Sequence, residues 1–221
     1  MRNYFNYFTE IEEYFVRKRG RNLLISPLDW CLIELWKENG IPLHVVLRGI
    51  DRSFEAAAKR SKSAPRTLFY CHPAVLEAWE EHREAKVGKS SESAGGEVNQ
   101  ENVLDYLNRL IDALKPCDGD DLMGVRNRLQ GIAKECSAGR FIAEAELERE
   151  LAEAGSRVAQ VLLEKLDGQA VQQLRKEVDK EVRRYRKRLS DEMYERLRRN
   201  YLERKVRSRF QLPDFSLMEV E

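Results

Sequence analysis

Apolar residues recur along this chain at steps of three and four. Phe5, Phe8, Ile11 and Phe15 mark the inner stripe of an amphipathic first helix. The segment ISPLDW then predicts a helix start. Ser26 is a natural N-cap, Pro27 fits the first helical position and Asp29 stands at the capping-box spacing. Ile25 and Trp30 flank it as a hydrophobic staple, and Trp30, Ile33 and Trp36 continue the buried face to a stop at Gly40. A tight NGIP connection leads into a third helix with Leu43, Val46, Leu47, Ile50 and Phe54 inward. After the polar break KRSKSAPR, TLFYC reads as a short helical turn. Pro73 then begins a fourth helix carrying Val75, Leu76 and Trp79.

Residues 86 to 100, KVGKSSESAGGEVNQ, have no apolar period and read as a flexible Ser/Gly-rich linker. Beyond it, Val103 to Leu114 predict a helix ended by Pro116, and Leu122 to Cys136 another, followed by Gly139. A third extends from about Phe141 to Leu166. The last reads as one helix from about Gln169 to Phe210, with Val171, Leu174, Val178, Val182, Tyr185, Leu189 and Met193 along one stripe. At ~1.5 Å per residue it would span roughly 60 Å. Pro213 closes it, leaving a tail whose Phe215, Leu217 and Met218 either dock on the bundle or insert into a protein partner. No alternation of strand type persists. The expected fold is all-α, in two helical bundle units: 1–85, aromatic-rich, and 101–221, charged, joined by the linker.

Composition narrows the function classes. Charged residues make up 35% of the 221 and mean hydropathy is -0.62, which excludes a membrane protein. The N-terminal stretch carries acids where a secretory signal needs an unbroken apolar run. Cys31, Cys71, Cys117 and Cys136 are too few and too scattered for a disulfide scaffold or a zinc site. The expectation is a cytoplasmic protein with reduced thiols, no metal and no cofactor. No phosphate loop, nucleophile elbow or metalloprotease motif occurs, and His44, His72 and His82 stand apart, so no enzyme is expected.

The formal net charge of +1 hides a strong local polarity. From Glu144 to Asp167 seven acids face three bases, whereas Arg175 to Arg209 holds fifteen Lys and Arg against seven acids. One reading pairs the acidic helix with the basic one, leaving a structural scaffold that works through protein contacts or self-association. The other leaves cations free for phosphate. Its nucleic-acid-binding candidates are Arg48, Arg52, Lys59, Arg60 and Arg66 on and after the third helix, and Arg183, Arg184, Lys187, Arg188 and Arg198 on the last. The second and third helices trace a helix-turn-helix outline, in which the third would enter a DNA groove.

The strings SPLDWCLIELWKENGIPLHVVLRGIDRSF and TLFYCHPAVLEAW carry a further likeness. With Trp36, Val46, Leu47, Ile50, Tyr70 and Trp79 in similar places, residues 26 to 80 resemble the DnaD-type helical domain of bacterial replication-initiation proteins. Tyr70 to Trp79 is one residue longer than that family's spacing, and Cys71 stands where an isoleucine is usual. The resemblance implies binding of DNA and of replication proteins, without catalysis. The expected function is therefore a non-catalytic, nucleic-acid-associated adaptor.

Overall fold

The computed structural model describes residues 4–20, 25–60, 63–86, 100–117, 120–140 and 143–217. The expected linker falls almost wholly outside them, as does Met218. Nine α-helices occur among the described residues, with no strand. They are α1 (Tyr4–Arg19), α2 (Pro27–Glu38), α3 (Leu43–Lys59), α4 (Leu68–Lys86), α5 (Gln100–Leu114), α6 (Asp120–Ser137), α7 (Glu144–Lys165), α8 (Gly168–Val182) and α9 (Asp191–Arg209). The all-α expectation holds. No helix among these residues is long and apolar enough to cross a membrane.

The expected single C-terminal helix is interrupted. After α8 the chain tightens into a 3-10 segment, Arg183–Arg188, and Leu189 turns extended at φ -121°, ψ 148°. Ser190 then caps α9: its Oγ accepts from Met193 N at 3.2 Å, and Asp191 and Glu192 occupy the first turn. Ser-Asp-Glu is a helix start lying inside an apolar stripe that continues across it. Stripe periodicity alone does not register such a break.

The chain groups into two units, and the division differs from the expected one. Asn6–Ser93 group with Asp179–Tyr201, while Ala94–Val178 group with Leu202–Glu221 and Met1–Phe5. In the unit holding α2 to α4, the core contains Phe8, Ile11, Phe15, Leu32, Trp36, Ile50 and Phe69, all buried. Burying each such side chain contributes roughly 1.5–3 kcal/mol. The capping box forms as read from the sequence: Asp29 N donates to Ser26 Oγ at 3.1 Å, and Ser26 N to Asp29 Oδ2 at 3.2 Å. The other Asp29 oxygen accepts Leu68 N at 2.8 Å, so one buried carboxylate fastens the starts of both α2 and α4. Gly40, at φ +70°, ends α2 in a Schellman turn, with Ile41 N donating to Trp36 O at 3.0 Å.

Two expectations for α3 and α4 are corrected. Pro73 does not begin α4 but lies inside it. Lacking an N–H, it cannot donate to the carbonyl four residues back, that of Phe69. Arg188 Nη1 takes that acceptor at 3.1 Å. Nor does α3 present its arginines as a recognition helix. Arg48 Nη2 donates to Ala78 O at 2.6 Å, and Arg52 forms a forked pair with Glu81 at 2.7 Å, so α4 occupies the side on which DNA was expected.

The other unit is built on Tyr106, Leu107, Leu110, Leu129, Leu151, Val158, Leu162 and Val206. Its tail folds onto it. Phe215 and Leu217 are buried, Ser216 Oγ donates to Glu148 Oε1 at 2.7 Å, and Leu217 N donates to Glu148 Oε2 at 2.8 Å. These side chains are therefore core residues, and the partner-binding role expected of Phe215 and Leu217 is corrected on that ground. Phe215 packs where α7 has a glycine: a Cβ on Gly155 would lie 2.7 Å from Phe215 Cβ. Gly155→Ala is expected to loosen the tail, costing about 1–2 kcal/mol in urea unfolding and speeding proteolysis near Phe215. An unchanged midpoint would contradict the close fit.

Candidate functional site

Six of the fifteen cations of the C-terminal basic stretch have a carboxylate close at hand among the described residues. Arg186 pairs with Asp191, Arg196 with Glu192 at 2.7 Å, and Arg198 with Asp179 at 2.5 Å. Lys205 lies 4.0 Å from Glu177, and Arg204 and Arg207 share Asp214. These partners are local, not the acids of α7 that the pairing reading invoked. In α7, Glu150 instead holds Arg128 at 2.5 Å and Glu148 holds the tail.

Of the five cations in the 3-10 segment, Arg186 alone is ion-paired among the described residues. Arg183, Arg184, Lys187 and Arg188 are exposed, and among the described residues they form no ion pair. A 3-10 turn stacks residues i and i+3, so Tyr185 and Arg188 share one row and Arg184 and Lys187 the next. Tyr185 is the anchor. It is buried, its ring stacks on Phe69 at 3.7 Å between centroids, and the Thr67 side chain hydrogen-bonds it. Burial, assisted by the charge of Asp29, raises its phenol pKa, keeping it neutral.

Around this anchor lies a cleft of about 570 Å³, lined by Ser63, Ala64, Arg66, Thr67, Tyr70, Arg184, Tyr185 and Arg188. The volume is that of an ordinary ligand site. Arg188 is held at both ends of its reach: one nitrogen donates to Phe69 O, and its guanidinium lies over the Tyr70 ring, 5.2 Å from the centroid. Arg184 is fixed in the same way, through Glu181 O at 3.1 Å and the Tyr185 ring at 5.7 Å. Arg66 is exposed. The charge of Asp29 acts on Tyr185, but its oxygens already accept from Ser26 and Leu68. Three guanidinium groups thus meet polar hydroxyls and two tyrosines without a carboxylate among the lining residues. Such a lining suits an anion carrying a flat, unsaturated group.

Of the ten cations expected to bind nucleic acid, the structure brings three, Arg66, Arg184 and Arg188, to this cleft. Arg183 and Lys187 stand on the same 3-10 segment outside its lining. Lys59 and Arg60 are exposed at the end of α3, while Arg48, Arg52 and Arg198 already have protein partners. The tyrosines were missed as site residues, although RRYRKR sets an aromatic among five cations. No group of His, Cys, Asp and Glu suited to a metal occurs among the described residues.

A family model described as "Uncharacterised protein" matches residues 6–91. That span includes the cleft wall from Ser63 to Tyr70 but not the 3-10 segment opposite. Neither a curated protein nor a solved structure matches the chain.

Proposed function

We propose that the chain is a non-catalytic, nucleic-acid-associated adaptor that holds phosphates through Arg66, Arg184 and Arg188. The observation that carries this reading is that three arginines, none of them ion-paired among the described residues, line one cleft. Each is separated from the others in sequence or by a turn, yet all reach the same cavity. The likeness of residues 26 to 80 to the DnaD-type domain agrees with a role in DNA metabolism. With phosphate neutralisation as the main source of affinity, binding falls steeply as salt rises.

The test is fluorescence anisotropy of the full chain with labelled oligonucleotides at 50 and 200 mM salt. Replacing Arg66, Arg184 and Arg188 together by alanine is expected to weaken binding at least tenfold and to flatten the salt dependence by about two released counterions. Replacing Lys59, Arg60 and Arg83 removes as much charge but leaves the cleft intact, and should weaken binding far less. Equal losses in the two variants, or no oligonucleotide binding by the unaltered protein, would sink the proposal.

A further inference from the structure

Phosphate contacts leave Tyr70 unexplained. It is one of two large hydrophobic side chains that remain exposed among the described residues, at 39%. Tyrosine on a helix that packs its other aromatics inward gains little by facing water, yet this ring lines the cleft. Its position is fixed from below. Phe69 and Cys71, its neighbours on α4, are fully buried, and Tyr185 stacks under Phe69. Arg188, over the ring, is tied to the backbone of the same turn through the carbonyl that Pro73 leaves unused. A rigid aromatic surface beside three guanidinium groups is what a nucleobase with its flanking phosphates requires. In a duplex the base faces are stacked on one another and closed to such a ring; in a single strand they are open.

Resting on the nucleic-acid reading above, we infer that Tyr70 is a stacking platform and that the cleft selects single-stranded over duplex nucleic acid. Arg188 then serves twice, polarising the ring and meeting a phosphate, while the exposed Arg183 and Lys187 extend the cationic track along the 3-10 segment for further phosphates of the same strand. This is a polymer site, not a mononucleotide site, because the cations run beyond the cleft.

The experiment titrates the full chain with a labelled 20-mer of thymidine, the same length of duplex, and an abasic strand of equal charge. The expected order is single strand over duplex by at least tenfold, with the abasic strand near the duplex. Tyr70→Ala should cost the thymidine strand roughly tenfold and leave the abasic strand unchanged, while Tyr70→Phe keeps the affinity. The exposed position makes both variants compatible with folding, which circular dichroism checks. Equal affinity for single strand and duplex, or a Tyr70→Ala variant that binds as the unaltered protein, overturns the inference even when the triple arginine variant has lost binding. If the arginine variant also binds normally, the phosphate reading falls with it. Displacement of the strand by an equimolar nucleoside monophosphate likewise overturns the polymer assignment.

Discussion

Alanine in place of Gly49 is expected to lower the unfolding free energy by about 2–3 kcal/mol, one of the two largest effects foreseen for this chain. The reason is a backbone collision. A Cβ at position 49 would stand 2.5 Å from Val75 Cα and 2.7 Å from Val75 N, so α3 and α4 meet there with no room for a methyl group. A side chain could rotate aside; a helix backbone cannot. Helix propensity works the other way, since glycine in a helix interior costs up to about 1 kcal/mol relative to alanine. The expected loss is the balance after that gain. Gly124 and Gly131, both in α6, supply the control, because an added Cβ at either meets nothing within 4 Å. Alanine there should leave stability unchanged or raise it slightly. Urea unfolding at constant m-value reads the difference. A Gly49→Ala protein as stable as the Gly131→Ala protein would show that the two helices do not approach as described.

Acidification is expected to destabilise the protein by about 3 kcal/mol between pH 6.5 and pH 4, through His72 alone. His72 is fully buried, its Nδ1 accepts from Trp36 Nε1 at 2.9 Å, and its Nε2 has no partner. Burial pushes its pKa down to about 4 from the ordinary 6.5. In that interval the unfolded chain binds a proton that the folded chain refuses. Stability is therefore intact above pH 6.5, declines as the pH falls, and levels off below about 4. Other groups act elsewhere or with opposite sign. Asp51, Glu81 and Glu150, held low against residual desolvation by Lys18, Arg52 and Arg128, add their losses only in the carboxylate range. Asp29, raised by burial, offsets them. His72→Asn keeps an acceptor for Trp36 without the titration. Its stability curve should be nearly flat from pH 6.5 to 4.5, and a slope equal to that of the unaltered protein would refute the assignment.

Much of the fold was legible because local signals and burial agree. Ser26, Asp29 and Gly40 bound α2 as their chemistry requires, and in the stripe Leu43, Val46, Leu47, Ile50 and Phe54, Val46 and Ile50 are buried and the other three partly buried. Pro73 was misread because a proline some five residues into a helix costs only one hydrogen bond, and Arg188 supplies that acceptor from far along the chain. The candidate site was legible only in part. Arg66, Arg184 and Arg188 stood among ten cations of equal promise. Two things separated them, and both depend on tertiary neighbours: protein partners took Arg48, Arg52 and Arg198, and of the rest only these three line the cleft. Tyr70 and His72 show the same limit from opposite sides. Two residues apart on α4, one faces water and the other is sealed, and the phase of that helix decides which.

The stacking of Tyr185 on Phe69 has a practical corollary for anyone dividing this molecule. Cutting at the serine-rich stretch would strand the N-terminal half with a bare aromatic floor at Phe69, where Tyr185 had covered it. Such a fragment would lack two of the three guanidinium groups and would bring a sticky surface in exchange. Its insolubility or failure to retain oligonucleotides would then report the missing lid and not the competence of the intact protein.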